Sequence, residues 1–163
     1  MSITPYSPQT AAPGWRWSPR VYPRVPTGAA RVRSELRADL ALLTHVEYEL
    51  VEDMVLCASE MFASAVEYAG PDPRGNRMLR TLTLYGVPGR GSVLCLSMVG
   101  EGDQSTVPHF PCEGLSEVWP DVSLGQGLVL IDHLAARWGT RRALFPDEGV
   151  GAAIWAEFAV PTL

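Results

Sequence analysis

Apolar positions set out the elements before any chemistry is considered. Val32, Leu36, Leu40 and Leu43 recur at helical spacing and predict a first helix from about Ala29 to Leu43. Thr44 followed by Glu47 has the form of a capping box and predicts the start of a second helix, which runs on to about Tyr68. Its apolar residues, Leu50 through Val66 and Ala69, fill a continuous arc of about 160° at 100° per residue. Asp53, Glu60, Ser64 and Glu67 form a stripe on the other side, and Gly70-Pro71-Asp72-Pro73 stops the helix.

The period then changes. Arg77 to Tyr85 alternates, Val93 to Met98 is almost wholly apolar, and Gly86-Val87-Pro88-Gly89-Arg90-Gly91 joins them as an antiparallel hairpin. Residues 99–123 show no period and read as a long loop, of the kind that is functional or mobile in a compact domain. Gly125-Gln126-Gly127 opens a third helix, with Leu128, Ile131, Leu134, Ala135 and Trp138 on one face, and Gly139 fits the position just past its end. A short strand around Arg142 to Phe145 follows. The last strand spans Ala152 to Val160, with Ala152, Ile154, Ala156, Phe158 and Val160 facing one way and Trp155 and Glu157 the other. This order predicts an α+β two-layer sandwich, a mostly antiparallel sheet with helices on one face.

Six of the fourteen prolines fall within residues 1–27, a density that works against helices and sheet ladders. That stretch is expected to be a proline-rich arm with one edge strand near Trp15 to Val25, its tryptophans docked on the body of the protein. Residues 28–163 are expected to form the domain. Apolar residues make up 47% of the chain, enough for a sizeable core. The net charge of −5 argues against general affinity for nucleic acid. No stretch approaches a membrane span, and the N-terminus lacks the apolar run of a signal peptide. Cys57, Cys95 and Cys112 are too few and scattered for a disulfide framework. An intracellular, cytoplasmic setting is the expectation.

All 13 basic residues are arginine, so Schiff-base chemistry and a lysine-bearing phosphate loop are excluded. Two glycines at a helix start would leave backbone N–H groups beside the positive end of the helix dipole, a place for phosphate. His109 and Cys112 have the spacing of half a zinc site, without a second pair. His45 and His133 read as structural or exposed, and Arg141 and Arg142 as surface charge. No Gly-x-Ser-x-Gly supports serine hydrolase chemistry.

Four segments together resemble the GHKL ATPase superfamily, and within it the small single-domain kinases that act as anti-sigma factors. In that group the second helix carries Ser-Glu-Leu-x-x-Asn-Ala-x-x-His; here it reads Ser59-Glu60-Met61-Phe62-Ala63-Ser64-Ala65-Val66-Glu67-Tyr68. A strand ending in Asp-x-Gly-x-Gly corresponds to Met98-Val99-Gly100-Glu101-Gly102. The Gly-Arg-Gly-Leu that opens the next helix, and the Trp-Gly that ends it, correspond to Gly125-Gln126-Gly127-Leu128 and Trp138-Gly139. The Gly-x-Thr-Val-Trp of the last strand corresponds to Gly151-Ala152-Ala153-Ile154-Trp155. The resemblance covers roughly residues 26–160.

It implies ATP and Mg2+ as ligands, with Glu60 as the carboxylate that takes a proton from the attacking hydroxyl. It also implies departures. Ser64 stands where the family has the asparagine that ligates magnesium, so the implied metal position is Ser64. Met98 stands for the aspartate that accepts a hydrogen bond from the adenine amino group, and Ala153 for the threonine that supports it. Losing a bond to a charged group costs about 1.5–3 kcal/mol and a neutral one about 1. Together that is roughly two to three powers of ten in affinity. Gly100, Gly102, Gly125 and Gly127 are retained. The expectation is a regulatory protein-binding module with weakened or lost ATP binding. Its partner would be a sigma factor, an anti-sigma antagonist or another transcription regulator, and a homodimer is possible. The alternative is an active ATP-dependent serine kinase with an altered pocket.

Overall fold

A computed structural model describes residues 12–68, 77–89, 91–101, 122–144 and 150–161. Strands β1 (Ala12–Arg16) and β2 (Arg20–Pro23) lead through a short 3-10 turn (Pro26–Gly28) into helices α1 (Ala29–Leu40) and α2 (Tyr48–Tyr68). The hairpin β3 (Arg77–Val87) and β4 (Gly91–Glu101) follows, then α3 (Val122–Leu134), β5 (Arg137–Leu144) and β6 (Val150–Val160). The sheet order is β1-β3-β4-β6-β5, with β2 also on β3, and every pairing is antiparallel. The protein is the expected α+β sandwich.

Alternation along the strands separates two faces. Met78, Leu82, Leu94, Leu96, Met98, Ile154, Ala156, Phe158 and Val160 form one core with Leu36, Met54, Met61, Phe62, Leu128 and Ile131 from the three helices. The opposite face holds a second cluster of Leu79, Val99 and Ala153. It also holds a Thr81–Ser97 hydroxyl pair and a bond from the Tyr85 hydroxyl to Glu157. The hairpin turns where expected: Val87 faces Gly91 across the strands, and Gly89 (φ 74°) and Gly91 (φ 82°) take backbone angles that a Cβ disfavours.

Several boundaries differ from the sequence expectation. The arm contributes two strands rather than one, both on the outer side of β3, where a missing proline N–H leaves no gap in the ladder. Trp17 is buried in the core, whereas Trp15 is 57% exposed. Helix α2 starts at Tyr48, with the Val51 N–H bonded to the Glu47 carbonyl, so Thr44 lies in the preceding turn and does not cap it. Helix α3 starts at Val122, so Gly125 and Gly127 lie within it and do not open it. It ends at Leu134, and Trp138-Gly139 belongs to β5. There Gly139 pairs with Trp155, and a Cβ at 139 would stand 2.9 Å from the indole ring. Cross-strand pairing with β6 thus overrides the helical period of residues 134–138.

Candidate functional site: the flank of α2 that faces α3

Glu60 and Ser64 lie one turn apart on α2, so their side chains share a flank. Opposite stands Gly127 of α3. A Cβ there would come 2.8 Å from Glu60 Oε2, so the glycine lets the carboxylate lie directly on the neighbouring helix. Glu60 is half-buried and Ser64 is buried, yet among the described residues neither has a hydrogen-bond or ion-pair partner. One turn before Glu60, burial and the charges of Asp53 and Glu60 push the Cys57 thiol up to about 12, which makes it a poor nucleophile.

Arg24, from the segment after β2, links this flank to the sheet. Its Nε and Nη2 donate to the Ala65 carbonyl at 3.0 and 2.9 Å, in the last turns of α2. A Cβ at Gly100 would lie 3.0 Å from Arg24 Nη2 and 3.3 Å from Met78 Sδ. Gly100 therefore gives the guanidinium room to cross the end of β4. Ala65, Arg24 and Gly100 thus meet at the end of β4, while Glu60 lies against Gly127 of α3 and Ser64 stands one turn further along α2.

The other expected site residues fall elsewhere. Met98 pairs with Ile154 and is fully enclosed in the main core. Ala153 pairs with Val99, and its side chain belongs to the cluster on the far face of the sheet. The resemblance groups Met98 and Ala153 around one adenine, but the pleat points them in opposite directions. Gly125 lies on α3, near the start of the helix, and Gly127 is in its second turn, where its N–H lies inside the helix rather than at an open end. Gly102, His109 and Cys112 lie outside the described residues. His45 is half-buried in the turn before α2, and His133 is exposed at the end of α3. Among the described residues no three metal-ligating side chains gather, and no helix is long and apolar enough to cross a membrane.

Sequence reasoning passed over two arginines. Arg24 carried no pattern signal, because its role depends on where a turn delivers it. Arg80 did carry one: it interrupts the apolar alternation of Met78, Leu82 and Leu84, and such a charge on a core face needs a buried partner. That partner is Asp39 of α1.

No protein-family model matches the chain, and no curated protein matches it.

Proposed function

We propose that this chain is a regulatory protein-binding module on a histidine-kinase-like ATPase scaffold, with ATP binding weakened or lost. It would act in the cytoplasm by holding a partner such as a sigma factor or its antagonist. The order of elements supports the scaffold: residues 59–68 lie on α2, residues 98–100 at the end of β4, residues 125–128 on α3 and residues 151–155 on β6.

The observation that carries the loss of nucleotide is the enclosure of Met98. A side chain with no accessible surface meets a purine only after the core around it opens. Ala153, on the far face, brings no polar group to such a ring. One observation favours the alternative, an active serine kinase: Glu60 and Ser64 keep a carboxylate and a hydroxyl one turn apart with no described partner to hold them. Should ATP and Mg2+ bind, Ser64 would reach the metal through its hydroxyl, and Glu60 would accept the proton of the attacking group.

Calorimetry with ATP and Mg2+ separates the two readings. The module gives no heat at millimolar nucleotide. Binding tighter than about 100 µM, with phosphate transfer to a co-purified partner that disappears in Glu60→Ala, overturns it.

A further inference from the structure

A cavity of about 360 Å³ opens at the bend between β1 and β2, away from the α2–α3 flank. Its walls include Trp15, Arg16, Trp17, Arg20 and Asp39. The two indoles meet edge to face with centroids 6.2 Å apart. Trp15 is exposed, and Trp17 is 7% exposed. Asp39 is already engaged: Arg20 Nε and Nη2 donate to it at 3.0 and 2.7 Å, and Arg80 Nη2 donates to it from β3.

The buried polar atoms left without a partner around this bend are all donors. Among the described residues they are the Trp17 indole Nε1 and the Nε and Nη1 of Arg80, a side chain 1% exposed. Of these two residues Trp17 lines the cavity itself, anchored by its backbone N–H to the Leu82 carbonyl of β3, whereas Arg80 stands behind it on Asp39. Buried donors call for an acceptor. The charges give its sign and size. Arg16 and Arg20 against Asp39 leave the lining with one positive charge, and Arg80 behind it adds another. A monoanion matches the single positive charge of the lining itself, and the second charge of a phosphate dianion would have only Arg80 to meet it, which is already bonded to Asp39. The paired indoles offer flat apolar walls beside the charge.

We propose that this bend is a binding site for a carboxylate carried on an apolar or aromatic body, its oxygens accepting from the Trp17 indole N–H and facing Arg16 and Arg20. The carboxylate comes either from a peptide or from a free small acid. The site is independent of the nucleotide question and stands on the opposite side of the sheet order from β5 and β6.

The test uses the whole chain with 15N-labelled tryptophan and follows the Trp17 indole N–H resonance, assigned by its disappearance in Trp17→Phe. The probes are N-acetylphenylalanine and its uncharged amide. A saturable shift with the carboxylate at millimolar concentration, absent with the amide, supports the site. The exposed Arg16→Gln then weakens binding by ~2–5-fold. A peptide ending in the same free carboxylate that binds more tightly than the single acid identifies a protein source; equal binding identifies a small acid. A resonance that ignores the carboxylate, or answers the amide equally, overturns the proposal. So does unchanged affinity in Arg16→Gln, or tighter binding of inorganic phosphate.

Discussion

Along the flank of α2 that faces α1, polar side chains are tied down. Arg37 holds Glu52 through two bonds of 2.9 and 3.0 Å, Arg33 donates to Ser59 at 3.0 Å, and the Phe62 ring packs where Gly28 leaves room. Along the flank that faces α3, Glu60 and Ser64 have no described partner, and a glycine gives the carboxylate its space. The same helix thus pairs its polar side chains on one side, and on the other carries a carboxylate and a hydroxyl without a partner among the described residues. Polar groups that stability leaves idle are where chemistry or recognition can be placed without unfolding the protein.

The contrast is sharpest where a charge on the α1 side is removed. Asp39→Ala leaves Arg80 buried without a counter-charge, and breaking such a pair costs about 3–5 kcal/mol. Urea unfolding measures it, and a loss below about 1 kcal/mol would mean the network is no stronger than a surface pair. Gly28→Ala comes next. Its Cβ would stand 2.7 Å from the Phe62 ring and 3.3 Å from the Pro23 carbonyl, neither of which can retreat, and overpacking of this kind costs about 1–3 kcal/mol.

Acid tests the same network without mutation. For Asp39, burial pushes the carboxyl up, but the bonds from Arg20 and Arg80 outweigh it, so it titrates below its ordinary 3.8. For Glu35, burial acts the same way, and the bonds from Tyr22 and Arg31 hold it below 4.5. A carboxyl depressed by folding contributes stability that is fully present above its unfolded value and is lost as pH falls through the folded one. Unfolding free energy should therefore decline once pH drops below 3.8–4.5, and the decline should be shallower in Asp39→Asn.

On the α3 flank the expected effects are small. Gly127→Ala meets only the mobile end of Glu60 and gains helix propensity, so thermal unfolding should show no loss and up to about 1 kcal/mol of gain. Smallest of all is Glu60→Gln, expected to stay within about 0.5 kcal/mol by urea unfolding. A large loss there would tie Glu60 to the fold and erase the difference between the flanks.

The sequence made the helices, the hairpin and the layer arrangement legible because burial imposes a period, and the period survives in residue order. Strands β1 and β2 were harder to read, since prolines suppressed the signal and only the exposed Val21 beside the buried Tyr22 hinted at a pleat. The junction after Leu134 misled because Trp138 suits either a helix or a strand: it packs against the core from β5 while its indole N–H donates to Asp132 at 2.8 Å. Within the site, the alternation of the last strand already set Ala153 apart from Ile154, and therefore from the face that Met98 shares. Motif correspondence pointed the other way, and the pairing of Val99 with Ala153 follows the alternation. The approach of Glu60 to Gly127, and of Arg24 to Gly100, depends on distances between elements that residue order does not carry.

Strands β1 and β2 have a consequence for any shortened version of the chain. Between them they occupy the outer hydrogen-bonding side of β3 at residues 77–80 and 83–86. Cutting at residue 28 to isolate the domain would bare that row of amides and carbonyls, and it would also remove Arg24. A naked ladder of that length recruits strands from other molecules, so a truncated protein that appeared to self-assemble would be reporting a wound rather than a native contact.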